Sequence, residues 1–539
     1  MHFSVPVIGR RDGCHRALAI VVVLLAGAAA GPLSAQEAPR IREIRIESEN
    51  VFQDAESSLL ARVADAIHGV TRPEVIRREL LFSEGDTVDP AKLAETERNL
   101  RALDLFRSVK IRVEPVSENQ VDVIVHTRDG WTTQLSGSLG RAGGGNKFRA
   151  EIQENNLLGF GKSLSVSFAS NPDRDTRAIA YEDPQFLGRR LTLDVLYASM
   201  SDGERRKFAL TVPFRSLEAK SGGAAIYDEL RQSTRIYGGG SEIAQFESDT
   251  RLIELSAGKR ILADSIRPIA RLTAGYRREE ASFAFEEGLA EALPEERRFG
   301  FFFGRFDLLD SKFVVERGIY SFSRDEDFDV GARLSLELGY SPRLFDAQEK
   351  FSGRLQLARG IAFSSGFLIG SLAARTRAGM DGELENSLFE GSLVAVWRPS
   401  NEVPQTVVAR GLLTLGDRLD RDVQLAADGA TGLRGYRLHA FTGDRRLLVN
   451  VEDRVRLTRE LLHLLEIGVA AFVDAGYAWP VGVPMRLSDL RVDVGAGLRV
   501  ALPRAPSLGL FRLDLAYALR PDLQGRRGFL VSFSSSQAF

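Results

Sequence analysis

Few residues in this 539-residue chain are equipped for covalent chemistry. Its one cysteine is Cys14, which leaves no disulfide scaffold and no cysteine-based zinc or iron–sulfur site. Beyond residue 35 the histidines are His68, His126, His439 and His463, widely separated and without metal-like pairing. There is no Gly-x-Ser-x-Gly elbow. Gly159-Phe-Gly161-Lys162-Ser163 ends as a phosphate loop ends. However, Asn156 stands where the first glycine belongs, and a strand-like alternation follows, so no helix N-terminus awaits a phosphate. That segment reads as a hairpin turn. His439 has the chemistry of a hydrolase base but reads as a polar packing residue. No enzymatic activity, cofactor or metal is expected. The informative side chains are charges near the C-terminal third. Arg434 lies between glycines in Gly432-Leu433-Arg434-Gly435-Tyr436, Glu452 in Asn450-Val-Glu452-Asp-Arg454, and Asp474 in Phe472-Val-Asp474-Ala-Gly476. A guanidinium in a partly dry space needs a carboxylate with bidentate geometry, so these residue types suit a lock rather than a reaction centre.

The elements that position them are read from patterning. The chain is 44% hydrophobic and 27% charged, with formal net charge −2. Wholesale disorder is excluded, as is a dominant basic surface, so no nucleic-acid partner is expected. Residues 1–35 have the layout of a secretory signal: basic Arg10, Arg11 and Arg16, an apolar run over 17–31, and Leu33-Ser34-Ala35 as cleavage site. The run is shorter than the roughly 20 residues of a membrane helix, and no later segment has the length and apolarity of one. Residues 36–130 read as a small α/β domain. A strand-like segment spans 41–46. The spacing predicts a helix over 73–82, and a second helix capped by Asp89 with Pro90 at its first position. Two alternating strands follow, one carrying Val109, Ile111 and Val113, the other Val121, Val123 and Val125. The order is β-α-α-β-β, with residues 50–72 as an added segment.

Residues 131–539 contain hardly a helical period. Short alternating segments are divided by Gly, Asn, Asp and Pro. Phe511, Leu513, Leu515 and Tyr517 oppose Arg512 and Asp514; Val492, Val494, Ala496, Leu498 and Val500 oppose Asp493, Gly495, Gly497 and Arg499. Alternation alone fits a soluble sandwich or a membrane barrel. The export signal, strands of about 10 residues and a chain ending in Phe539 favour the barrel.

On these motifs the chain resembles the BamA/TamA superfamily of outer-membrane assembly and translocation barrels, the bacterial surface antigen family. The resemblance covers nearly the whole chain after residue 35. Residues 36–130 are similar to one POTRA domain, with Leu103-Asp-Leu-Phe106-Arg-Ser-Val109 before the second strand. Gly432 to Tyr436 resembles the family's loop tip, with Leu433 in place of Val. Asn450 to Arg454, Phe472 to Gly476, Gly495-Ala-Gly497-Leu-Arg499, Phe511-Arg-Leu-Asp514 and the terminal Phe539 match the strands that follow. Asn156-Leu-Leu-Gly159-Phe-Gly161 is similar to the early hairpin. The resemblance implies a mainly β protein: a POTRA-like periplasmic domain, then a transmembrane antiparallel barrel over 131–539. It implies sixteen strands. About twenty candidates are found, fifteen before the loop, so either segments such as 222–232 and 316–325 are loop hairpins or the barrel is wider.

Five strands follow Tyr436, near 444–457, 466–478, 491–502, 509–519 and 528–535. With the C-terminus periplasmic, the 416–443 segment lies outside, where the family's sixth loop folds back into the lumen with its arginine at the tip. Asp474 shares a face with Phe472 and Gly476, opposite Val469, Ala471, Val473 and Tyr477, which suit lipid. Asp474 therefore points inward, as does Glu452. The expected partners of Arg434 are Asp474 first and Glu452 second, while Asp453 falls on the lipid side as a misfit. The barrel closes by pairing of about 132–140 with 528–535, where Gly137, Gly140 and Gly528 weaken packing. The function implied is assembly, insertion or translocation of outer-membrane proteins by strand addition at the POTRA-like domain and through a lateral seam. The alternatives are a dedicated secretion pore and a passive porin or surface antigen. Expected partners are unfolded outer-membrane or secreted clients, periplasmic chaperones or lipoproteins, and outer-membrane lipid.

Overall fold

The computed structural model describes residues 39–49, 70–103, 105–130, 132–214, 219–262, 268–288, 293–317, 319, 325–399, 404–458, 465–501 and 510–534. The signal-like segment 1–35, most of the added segment 50–72 and the terminal Phe539 lie outside the described residues.

The N-terminal domain is a three-stranded sheet with two helices. Gln120–Asp129 is central, parallel to Arg40–Glu49 and antiparallel to Phe106–Ser117. Helix Pro90–Ala102 starts on Asp89, whose Oδ1 accepts from Ala91 N at 2.9 Å. Helix Pro73–Glu79 ends three residues before Phe82, because Leu80 turns extended at ψ 130°. This frees Leu80 and Phe82 to enter the core with Ile41, Ile44, Ile76, Leu100, Val109, Val121, Val123 and Val125. These are the alternate positions of the strands and the helical-spacing positions of the helices. Arg42 holds the buried Asp122, with Nε on Oδ1 at 2.8 Å and Nη2 on Oδ2 at 2.6 Å, and Arg45 adds Nη2 at 3.0 Å. The Arg42 hydrogen bonds, ahead of the attraction of both guanidinium charges, keep the Asp122 carboxyl below its ordinary value.

The rest is a closed antiparallel barrel of twenty strands, not sixteen. Fifteen precede the long loop and five follow it. The correction falls on 222–232. It lies within strand Ser221–Gly238, which pairs along its length with Gly203–Val212 on one side and Ser241–Arg260 on the other. Its small residues and short apolar run obscured a full wall strand. Segment 316–325 is outside the barrel sheet: Phe313–Arg317 and Asp325–Asp329 pair only with each other. Three consecutive strands, Ser221–Gly238, Ser241–Arg260 and Ile269–Gly288, run 18, 20 and 20 residues. A tilted crossing needs about 9–11, so this part of the wall stands well beyond the span.

The domain is seated on one end of the barrel, on the turns of the second and fourth strands. Arg72 N donates to Gly159 O at 3.0 Å, and Asn156 Nδ2 to Thr71 Oγ1 at 2.9 Å. One hairpin further on, Gln185 Nε2 donates to Val75 O at 2.9 Å and Glu79 Oε1 at 2.8 Å. The two turns have one conformation: Leu158 and Leu187 both sit at φ 56°, ψ 25°. Gly159-Phe-Gly161-Lys162-Ser163 is thus a turn and then strand Ser163–Ser170.

Candidate functional site

Alternation fixes what faces the lumen. Along Glu466–Trp479 the buried positions include Ala470, Phe472, Asp474 and Gly476, while Val469 and Val473 are exposed. In Arg445–Arg456 the buried positions are Leu448, Asn450, Glu452 and Arg454. Register sets Asn450 beside Asp474 and Glu452 beside Phe472. Asp453 faces out and accepts both bonds of Gln405 Nε2 at 2.9 Å, near the strand end on the domain side. Tyr477, expected toward lipid, packs instead at 5.3 Å against Phe441 of the loop.

The loop between Gln405–Asp417 and Arg445–Arg456 enters the lumen from the end opposite the domain. Inside it, Leu425–Ala427 and Phe441–Gly443 pair as a small hairpin. Asp428 organises the turn. Its carbonyl accepts from Thr431, Gly432 and Leu433 N, its Oδ1 from Ala430 N at 2.9 Å, and its Oδ2 from His439 N at 2.8 Å. Leu433, Tyr436, Ala440 and Phe441 bury against Leu412, Leu448, Ala478 and Ala518. Gly432 stands at φ 137° and gives its carbonyl to Asn450 Nδ2 at 2.6 Å. A Cβ on Gly435 would fall 2.5 Å from Asp493 Cβ and 3.1 Å from Ala518 N, so only glycine lets the tip touch the wall.

Arg434, only 3% exposed, meets its partners there. Nε reaches Asp474 Oδ2 at 2.7 Å and Nη2 reaches Oδ1 at 2.9 Å, a two-point fork. Nη1 reaches Glu452 Oε2 at 2.6 Å and Asp514 Oδ2 at 3.3 Å. The guanidinium carbon lies 3.3 Å over the Phe472 ring centre. Glu452 Oε1 also takes Arg454 Nε and Arg499 Nη2, each at 2.9 Å. Asp514 takes Arg499 Nη1 at 2.5 Å and Arg512 Nη1 at 2.9 Å. Asp493 is the register partner of Asp474 and stands against the tip at Gly435. Glu452, Asp474 and Asp514 thus interleave with Arg434, Arg454, Arg499 and Arg512, and this pairing is what makes burying the charges tolerable. Arg499, Arg454, Asp514 and Asp428 were not anticipated as members. The first three were within reach of the same inside–outside parity, and Asp428 carries the signal of an acid three residues before a threonine in a turn.

The loop is also tied elsewhere. Arg297 forks onto Asp422 at 2.9 and 2.8 Å, and Arg377 onto Asp420. His439 stacks flat on Tyr237 of the tall wall at 3.6 Å, a packing role. Tyr436 Oη donates within 3.2 Å of Val492 O and Arg520 O, just past strand Leu510–Ala518. Leu438 N donates to Gly143 O, just past the first strand, Thr133–Ala142, at 3.0 Å. The loop therefore grips both sides of the closure. That closure is slight. Among the described residues, Phe529–Ser534 meets Thr133–Ala142 at one register pair, Phe533 with Arg141, where every other neighbouring pair in the barrel shares six or more.

A sheet domain leading into a closed barrel, with an arginine-tipped loop held on the wall, is the arrangement that the resemblance to BamA/TamA barrels implies. Residues 66–130 match the POTRA family model, described as surface antigen variable number repeat. The chain is 36% identical over 100 residues to outer membrane protein assembly factor BamA of Neorickettsia risticii (strain Illinois), covering 18% of this chain and 13% of that one. It is 27% identical over 130 residues to BamA of Neisseria meningitidis serogroup B, covering 23% and 16%. Among solved structures, BamA from Haemophilus ducreyi lacking POTRA domains 1–3 is similar over 93% of this chain and 84% of that one, at 14% identity and TM-score 0.44. The chain spans about a sixth or less of the length of these curated relatives. The chain is thus similar to POTRA domains over 66–130 and, over short stretches, to BamA outer-membrane assembly factors.

Proposed function

We propose that this protein assembles outer-membrane proteins, or moves proteins across that membrane, by binding and strand exchange without enzymatic chemistry. The observation that carries the reading is that, among the described residues, one register pair, Phe533 with Arg141, joins the barrel closure. Where neighbouring strands share little register, they part at little cost, and each then offers a row of unpaired backbone groups to an incoming strand. The loop spans the closure through Tyr436 and Leu438, so the Arg434 lock sets how readily the seam parts. The POTRA domain lies in the periplasm. Its strand Phe106–Ser117 ends the sheet among the described residues and offers clients, chaperones or lipoproteins an edge. Lipid meets the outward Val469, Val473, Leu498 and Leu515.

The test joins Arg141→Cys to Phe533→Cys. Register partners have Cβ atoms about 4.5–5.5 Å apart, close enough for a disulfide with small adjustment. Oxidised cells should lose several unrelated outer-membrane proteins from the quantified outer-membrane proteome, and reductant should restore them. Loss of one secreted protein alone would mark a dedicated secretion pore. An unchanged proteome under full cross-linking would sink the seam mechanism.

A further inference from the structure

The lumen is filled from the domain end as well. Strands alternate in direction, so the 311–331 connection leaves the wall at the end where the POTRA domain sits. Its hairpin, Phe313–Arg317 with Asp325–Asp329, pairs with no wall strand. Val314, Ile319, Phe328 and Val330 pack against Phe367, Val396 and Val408, with the Phe328 and Phe367 rings 4.6 Å apart. Those three wall residues form one row across adjacent strands, and the row continues to Glu452, which faces the lumen. A barrel interior is ordinarily polar. This one has an apolar strip, and the hairpin covers it. Glu316 pairs with Arg398 at its margin. At the inner end, Ile319 O accepts from Arg454 Nη1 at 2.8 Å. The same arginine gives Nε to Glu452, whose other oxygen holds Arg434.

We propose that the paired strands Phe313–Arg317 and Asp325–Asp329, with Ile319 and Val330, form a second plug at the periplasmic end of the lumen, and that Arg454 is the positioning residue linking its seat to the Arg434 lock. With the hairpin seated, the Ile319 carbonyl fixes one side of the Arg454 guanidinium and so aims its Nε at Glu452. When the hairpin leaves, Arg454 turns toward water, and Glu452 loses one of the two other donors, Arg454 and Arg499, that hold it toward Arg434. Both inserts then loosen together. The inference goes beyond the assembly reading and holds whatever clients the barrel handles.

The experiment measures conductance of the full chain in planar bilayers, together with maleimide labelling of Leu433→Cys in a Cys14→Ser background. Asp310 and Ala332 are register partners, so a tight turn can rejoin the strands without the hairpin. The shortened chain and the Phe328→Asp variant should both conduct several-fold more and label several-fold faster at position 433. Arg454→Met should raise labelling while leaving conductance nearer the parent value. Heat-modifiable migration on gels certifies each folded barrel, and Phe328→Asp keeps the question open to test if the shortened chain does not assemble. Unchanged conductance in folded variants overturns the plug. Raised conductance with unchanged labelling overturns the link through Arg454.

Discussion

Asp474→Asn tests the lock most directly. The substitution keeps the shape of the side chain and removes its charge. Asp474 takes three bonds from Arg434, from Nε at 2.7 Å, Nη2 at 2.9 Å and the backbone N at 3.4 Å, and one from Asn450 Nδ2 at 2.8 Å. An amide has one accepting oxygen, so it cannot hold the fork. Removing one partner of a buried pair costs about 3–5 kcal/mol. Arg434 would keep Glu452 at 2.6 Å and the Phe472 ring, which places the cost near the lower limit, at about 3 kcal/mol. That is roughly two decades in the ratio of seated to unseated loop. Leu433 is fully buried beside Arg434, so a cysteine there reports the unseated fraction. Maleimide labelling should rise about a hundredfold, while the urea midpoint of the barrel moves little. Glu452→Gln should behave differently, because Glu452 serves Arg434, Arg454 and Arg499 at once. Its loss should lower the barrel's midpoint as well as free the loop. Asp453→Asn, on the outer face, is the control and should change neither. Labelling of the Asp474→Asn protein within twofold of the parent, or a Glu452→Gln barrel as stable as the parent, would refute the reasoning.

Two further outcomes follow from the domain and its seat. Gln185→Ala removes the amide that reaches Val75 O and Glu79 Oε1 and should loosen the POTRA domain by about 1–3 kcal/mol, read as a broader distance distribution between spin labels on domain and barrel. The Asp122 carboxyl titrates below its ordinary value of 3.8 in the folded domain, so its contribution is complete above that value and is lost as pH falls through the lowered one. Asp122→Asn should therefore be the less stable protein at neutral pH. The difference should shrink below pH 3.8 when unfolding of the full chain is followed by a probe on the domain; a constant gap across that range would contradict the assignment.

Much of this architecture was legible because a strand's two faces answer to different solvents. On Glu466–Trp479, Val469 and Val473 belong in lipid, so Asp474 must face the lumen; that it meets the arginine of the loop is what the resemblance implies. The same parity on Arg491–Ala501 and Leu510–Ala518 turns Arg499 and Asp514 inward, yet alternation tells only which wall a residue faces, not which rows come level. That depends on register, and it is register that makes Glu452 the shared acceptor of three arginines. Tyr477 shows the converse limit. Its parity is outward, but it lies at the strand end, where the loop rather than lipid is the neighbour. The repeated turns at Asn156 and Gln185 were half legible: the first was recognised as a hairpin, but only the folded domain shows that both turns serve as its cradle.

The strand number bears on mechanism. The alternation marks about twenty strands, and the sixteen that the resemblance implies would leave out a true wall strand, Ser221–Gly238. Barrel diameter grows roughly in proportion to strand number, so four extra strands widen the lumen by about a quarter. A loop that spans a sixteen-stranded lumen leaves a gap in a wider one. Here the loop is tied further along the wall by forks at Asp420 and Asp422 to Arg377 and Arg297. The strip Phe367, Val396 and Val408, nearer the domain end of the same side, is apolar and is covered by Val314, Ile319 and Phe328. An apolar strip inside a water-filled barrel would be a liability, whereas under a hairpin it is a seat. The extra strands, the second insert and the apolar strip therefore make physical sense only together.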